Sequence, residues 1–358
     1  MFKYLLLAFV VCLETILLAR VISEPPTVLP FRDRAPVVNT ILQDRLDNLL
    51  PELMQDSSLD MWIVIYREYS EDALFYSLVP QPTFAARRTT ILVFNKDPET
   101  NKVERFSVSR YPIGEFYPTR WEGGSLEQQW QRLAELVAEI EPKRIGINIS
   151  KDWALADGLT AGMHRQLTKY LDDKFVERLV PAENLVIRWL ETRTEQEIKN
   201  YTHIVAIARG VISEAFSNRV ITPGVTTTDD VAWYIRQRFE DLNVRPWFQP
   251  YVNVQRRGDN YAADAKFMGK SPRVIQRGDV LHTDVGICYL TLCTDTQEMG
   301  YVLRFAEKEV PKGLKDALAD GNAWQDTMTQ QFKTGRTGNE ILDRAKTAAK
   351  KAKLNASI

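Results

Sequence analysis

A chain of 358 residues has room for two domains, each able to bury its own core. Its 46 Lys and Arg against 47 Asp and Glu argue against a dominant nucleic-acid or polyanion partner. A 44% hydrophobic and 26% charged composition, without a fixed-period repeat, excludes a disordered or low-complexity chain.

The N-terminus stands apart. Lys3 precedes an apolar run from Tyr4 to Leu13, which resumes after Glu14 and ends at Ala19. A short basic start and an apolar stretch predict a secretory signal over residues 1–23, with the small residues Val21 and Ser23 before the cut. The run falls short of the roughly 20 apolar residues that a membrane span needs. The expectation is an exported chain, periplasmic or secreted, without stable membrane insertion once the signal is removed. An N-terminal membrane anchor is the alternative. The remaining cysteines, Cys288 and Cys293, are too few for a disulfide framework. Export would permit one bridge, but they are read as two buried thiols.

Pro25, Pro26, Pro30 and Pro36 predict an extended lead-in over 24–36. A helix follows from Asn39 to Met54, with Ile41, Leu42, Leu46, Leu49 and Leu50 at helical spacing. Met61–Tyr66 reads as a buried strand, and Thr89–Phe94 and Val103–Val108 as a hairpin. Ser125 caps a helix to Glu141 with Leu126, Trp130, Leu133, Val137 and Ile140 on one face. Arg144–Ile149 is the next strand. These elements make a self-contained α/β domain over 37–188, with a boundary between Val180 and Arg193. Thr194 and Glu197 form a capping box for a helix to about Asn218. Another helix starts at Thr228, with Asp229 and Asp230 in its first turn, where carboxylates suit the dipole. Two more lie near 313–332 and 338–353, the second boxed by Thr337 and Glu340. This second domain spans 193–358.

Between these helices lies Arg277-Gly278-Asp279-Val280-Leu281-His282-Thr283-Asp284-Val285-Gly286, then Thr294-Asp295-Thr296-Gln297. The stretch from Val280 to Cys293 is apolar and β-rich, and reads as a hairpin with Asp284 and Asp295 on opposite arms. Two carboxylates buried in a sheet are unfavourable unless a cation or a proton compensates them. On neighbouring strands they can chelate one divalent ion and bridge to a second. His282, two residues before Asp284, points to the same face. It is read either as a partner that orients the carboxylate or as a hydrogen-bonded core histidine. Trp247, Phe248 and Tyr251, in a proline-bounded aromatic segment, are candidates to line a substrate pocket, or equally to pack on the sheet. Arg256 and Arg257 are read as surface arginines of a turn, over bidentate binding of a substrate carboxylate. Gly335-Arg336-Thr337-Gly338 is a helix start rather than a phosphate loop. His164 and His203 are structural.

Gly278-Asp279, then Asp284-x-Gly286, then an aspartate eleven residues after Asp284, all behind two long helices, resembles the pita-bread metallopeptidase superfamily: methionine aminopeptidases, Xaa-Pro peptidases and creatinase. The N-terminal α/β unit is similar to the extra domain of Xaa-Pro peptidases and creatinase. The fold implied is α/β (α+β), a creatinase-like α/β domain followed by an incomplete pita-bread domain. The resemblance implies a dinuclear aminopeptidase or dipeptidase, including the Xaa-Pro type. A metal-bound hydroxide, on two ions of Mn, Co or Zn, would attack the bond of a peptide substrate. Asp284 would hold one metal and Asp295 would bridge both. The family's remaining ligands are one His and two Glu further along, and with them the catalytic groups. No histidine follows Asp295, and Glu298, Glu307, Glu309 and Glu340 are read on turns or helix starts, not as ligands. The catalytic His and Glu are therefore expected beyond Ile358, about where the third strand of the active-site sheet should begin. The family's upstream histidine has no counterpart in Tyr261–Phe267, which puts the standard peptidase role in doubt. The expectation is a truncated site, an inactive chain and an open sheet edge. Two alternatives stay open: a non-catalytic pita-bread binding or scaffold protein, and a creatinase-like metal-free hydrolase, although that branch lacks the aspartate pair. A homodimer is also left open.

Overall fold

The computed structural model describes residues 25–258 and 273–354. The leader over 1–23, the stretch Tyr261–Phe267 and the terminal Ile358, past which the catalytic His and Glu are expected, lie outside the described residues.

The chain is extended only over 25–30. Helix α1 (Phe31–Asp44) then runs through one π-helical turn (Arg45–Leu49) into α2 (Leu50–Asp56). The expected extended lead-in to residue 36 is therefore wrong. Pro36 sits inside α1, where it removes one backbone bond, but Val38, Ile41, Leu42 and Leu46 are buried along the same helix and offset that loss. The π-turn widens the helix just ahead of Pro51, whose ring would otherwise meet the carbonyl four residues back.

Strand β1 (Met61–Arg67) lies at the centre of the first sheet. Its six leading residues are all buried, and alternate residues feed two different cores. Trp62, Val64 and Tyr66 face one core; Met61, Ile63 and Ile65 face the other. After α3 (Ala73–Leu78), strands β2 (Thr89–Lys96) and β3 (Val103–Ser107) pair as the expected hairpin, with Val93 opposite Phe106. Helix α4 (Leu126–Ile140) starts at the Ser125–Gln128 capping box and buries Trp130, Leu133 and Val137, whereas Leu126 stays 47% exposed. Strand β4 (Ile145–Ile147), helices α5 (Ala161–Tyr170) and α6 (Asp173–Val176), strand β5 (Leu179–Pro181) and helix α7 (Glu183–Glu191) follow. The sheet order is β3-β2-β1-β4-β5, antiparallel on the hairpin side and parallel from β1 to β5. Residues between Val180 and Arg193 are not a bare linker, because Leu185, Val186 and Trp189 of α7 belong to the first core.

Helix α8 (Glu195–Ala215) starts at the Thr194–Glu197 box, and α9 (Thr228–Asp241) at a Thr227–Asp230 box. Then come β6 (Arg245–Pro246), β7 (Tyr251–Gln255), β8 (Val280–Val285), β9 (Ile287–Tyr289), β10 (Leu292–Cys293) and β11 (Thr296–Tyr301). They form two three-stranded sheets, β11-β8-β7 and β10-β9-β6. Val252, Val254, Leu281 and Val285 bury one face of the first of these in a core with Ile204, Ile207, Val211, Val231, Ile235 and Phe239 of α8 and α9. Helix α10 (Lys312–Thr329) has no buried residue, and α11 (Gly338–Lys351) buries only Ala345 and Ala349. No helix among the described residues is long and apolar enough to cross a membrane.

The two cysteines are not buried thiols. Cys288 and Cys293 are half-exposed, stand directly opposite each other in the β9–β10 register and form a disulfide. The two-residue turn between the strands places them there, with Leu290 and Thr291 both in the left-handed region at φ 52° and 69°.

Candidate metal centre

The site is built on the alternation of β8. Leu281, Thr283 and Val285 point into the helices, which leaves Val280, His282 and Asp284 on the opposite, less buried face. The entry to β8 is fixed by Gly278, at φ +92°, and by Asp279, which is 1% exposed. Arg256 Nε and Nη2 grip the Asp279 carboxylate at 2.7 and 2.8 Å, and the Gln276 N–H donates to it at 2.7 Å. Arg256 is therefore not a surface arginine of a turn. It does bind a carboxylate in bidentate fashion, but an internal one.

Asp284 stands opposite Gln297 on β11 and Tyr251 on β7, and Asp295 lies just before β11. The carboxylates come together as the spacing implies, but not as a buried pair. Asp284 is half-buried and Asp295 is exposed, because Asp295 sits where the chain enters the strand rather than within it. Among the described residues, the buried Oδ1 atom of Asp284 has no hydrogen-bond partner, and Oδ2 receives a 3.4 Å bond from Gln297 Nε2. Burial, with the neighbouring Asp295 carboxylate second, holds Asp284 above the ordinary carboxylate range, and His282 opposes the shift. An orphaned buried oxygen beside a second carboxylate is a donor set that fits a divalent cation.

His282 lies on the same face as Asp284 and is not a core histidine. Its Nε2 is 3.0 Å from Gln297 Oε1. Gln297 thus links His282 to Asp284, with its amide oxygen accepting from the ring N–H and its amide nitrogen donating to the carboxylate. Gln297 is absent from the sequence-derived site. Period-two counting along β11 from Asp295 places it on the ligand face. Its replacement by Leu should weaken Mn²⁺ binding by about tenfold, since groups that orient a ligating carboxylate carry effects of that order. Titration calorimetry on Gln297→Leu gives the comparison, and unaltered affinity would mean that Gln297 does not orient Asp284.

The aromatic segment is brought beside this pair. The Trp247 N–H donates to the Gly286 carbonyl at 2.9 Å, the rings of Trp247 and Phe248 are 5.6 Å apart, and Tyr251 is in register with Asp284. Trp247 is 53% exposed. Gly286 admits this packing because a Cβ there would lie 2.6 Å from Phe248 Cε1 and 2.7 Å from the Thr294 carbonyl oxygen. The Gly286→Ala variant is therefore expected to lose about 1–3 kcal/mol through overpacking, read as a lower urea midpoint. A midpoint equal to that of the parent would show that Phe248 moves aside freely.

The other candidates lie elsewhere. Glu298 is on β11, not on a turn, and pairs with Arg209 at 2.7 Å. Glu307 accepts from the Tyr301 hydroxyl and the Arg304 N–H, Glu309 pairs with Lys315, and Glu340 caps α11. His203 bonds the Thr27 carbonyl, and His164 lies on α5. Among the described residues, no group of three or more His, Cys, Asp and Glu side chains is arranged to hold a metal.

Residues 199–357 match the model of Metallopeptidase family M24, so the resemblance read from Asp284 and Asp295 stands. No curated protein matches by sequence. Among solved structures, the chain is similar to an X-Pro aminopeptidase from Thermotoga maritima, with TM-score 0.60 and 18% identity over 84% of this chain and 78% of that one. It is also similar to a putative aminopeptidase P from Bacillus anthracis, with TM-score 0.61 and 10% identity over 88% and 78%. A prolidase from Pyrococcus horikoshii aligns with TM-score 0.56 and 16% identity over 88% and 78%. At such identities these likenesses establish the mixed α/β fold.

Proposed function

We propose that this chain carries part of the centre of a metal-dependent peptidase of the Xaa-Pro aminopeptidase or prolidase kind, with Asp284 and Asp295 as ligands to divalent cations. The observation that carries this reading is the partnerless buried Oδ1 of Asp284 beside a second carboxylate, within a stretch that matches a metallopeptidase family. Two ions of Mn, Co or Zn would supply an activated water and offset the negative charge that develops on the cleaved amide. Asp284 and Asp295 would hold those ions in place. Gln297 and His282 keep the Asp284 carboxylate in its rotamer. Trp247, Phe248 and Tyr251 offer an apolar wall beside it for the side chain of a peptide.

A non-catalytic binding role is the second reading. It is favoured by the lack, among the described residues, of a group of three or more His, Cys, Asp and Glu side chains arranged to hold a metal. The deciding experiment is calorimetry of the chain with Mn²⁺, Co²⁺ and Zn²⁺, followed by hydrolysis of Xaa-Pro dipeptides and tripeptides in the presence of the bound ion. Binding with turnover supports the peptidase. Binding without turnover transfers the site to the binding role. No binding of any of the three ions removes the metal reading altogether.

A further inference from the structure

We propose that a cleft over the first sheet, lined by none of the residues of the carboxylate pair, binds a small polyanion. The cleft has a volume of about 760 Å³ and lies where the end of β1, the approach to β2, the exit of β3, and helices α4 and α5 meet. Five cations line it: Arg67, Arg87, Arg88, Arg110 and Lys169. Only two carboxylates do, Glu68 and Glu127. The chain as a whole carries a net charge of −1, so this excess is local and the overall balance conceals it.

The cations are poorly neutralised by the protein. Arg88 meets Glu68 at 3.6 Å while 89% of its side chain is exposed, a geometry that contributes little. Among the described residues, Arg110 donates only to the Gly124 carbonyl, at 3.1 Å. Arg87 and Lys169 rest over the rings of Tyr111 and Tyr170, at 5.7 and 5.0 Å, which hold their position without cancelling their charge. Arg67 has no acceptor for its guanidinium among the described residues. The backbone of its own helix start, then Ser125 and more weakly Lys169, hold the Glu127 carboxyl below the ordinary range.

Several guanidinium forks lining one cleft suit a ligand with at least two acidic groups and closely spaced oxygens. Phosphate and carboxylate groups share that chemistry.

The test is calorimetry of the whole chain, stripped of metal on a chelating resin and held in chelator-free buffer at low salt, with tripolyphosphate in one arm and citrate in the other. Binding of tripolyphosphate with a Kd on the order of 100 µM is expected, weakened about tenfold at high salt. Citrate binding as well would extend the site to polycarboxylates, and tripolyphosphate alone would define it as a phosphate site. Arg67→Glu and Arg87→Glu should each weaken binding at least about tenfold. Lys143→Glu, outside the cleft, and Asp284→Asn should leave it unchanged. Circular dichroism of each variant confirms that the fold is intact. The proposal is overturned if neither ligand binds below about 5 mM, or if Lys143→Glu costs as much as Arg67→Glu.

Discussion

Asp284→Asn is expected to lower the affinity for Mn²⁺ by about a hundredfold, roughly 2.7 kcal/mol, without lowering the stability of the metal-free chain. Asparagine keeps the shape of the side chain and the Gln297 contact but removes the charge that a cation requires. In the metal-free protein the same charge is unfavourable, because Asp284 is partly desolvated beside the Asp295 carboxylate and its Oδ1 has no donor. Removing it relieves that repulsion. The two readings of the pair therefore differ in sign. If the carboxylates are ligands, the metal-free Tm rises or stays level while the Tm increase caused by Mn²⁺ disappears; that increase would correspond to about 2.7 kcal/mol at a ligand concentration of 100 times Kd. If they are a structural pair, Asn lowers the metal-free Tm and Mn²⁺ shifts neither protein. Calorimetry and thermal melts of parent and variant decide between them, and undiminished Mn²⁺ affinity in Asp284→Asn would end the ligand assignment.

The residues predict the site and the fold unevenly, and the difference is physical. Capping boxes are local, so the starts of α4, α8 and α11 are visible in Ser125–Gln128, Thr194–Glu197 and Thr337–Glu340. The apolar strands β1 and β2 are visible for the same reason, and the Asp284–Asp295 juxtaposition follows from one hairpin. What depends on register or tertiary contact is not visible. The bridge between Cys288 and Cys293 requires them to be direct cross-strand partners, and the turn that sets this register uses Leu290 and Thr291 in place of the usual Gly or Asn. Arg256 reads as a surface residue because its partner Asp279 lies 23 positions away. The prolines of the lead-in suggest extended chain, but burial of Val38, Ile41 and Leu42 overrides them. Gln297 is hidden because an amide has no signature of its own until the strand places it opposite Asp284.

The largest loss of stability is expected from Arg45→Met, about 3–5 kcal/mol. Arg45 lies on the π-turn that follows α1, a helix segment that sends Val38 into the second core and Leu42 and Leu46 into the first. Its guanidinium bonds Glu197 Oε2 at 2.8 Å and the Thr192 carbonyl at 2.8 Å, reaches the Trp189 carbonyl, and lies 4.4 Å from the Trp189 ring centroid. It therefore joins α1, the end of α7 and the start of α8 where the two cores meet. The side chains of Arg45 and Glu197 are 7% and 4% exposed, so water screens neither charge. Methionine fills much of the volume but leaves the Glu197 carboxylate buried without its cation and removes the Arg45 donor from the Trp189 carbonyl, while the Thr192 carbonyl keeps Arg193 Nη1 at 3.2 Å. Glu197 retains one duty, since the Thr194 N–H still donates to it at 2.7 Å. For that reason Glu197→Gln in the Arg45→Met background should recover about 1–3 kcal/mol, because the amide keeps the cap and drops the stranded charge. Urea unfolding of the parent, the two single variants and the double variant measures the coupling. A cost below about 1 kcal/mol for Arg45→Met would place the pair among solvent-screened ion pairs and remove it as the tie between the two cores.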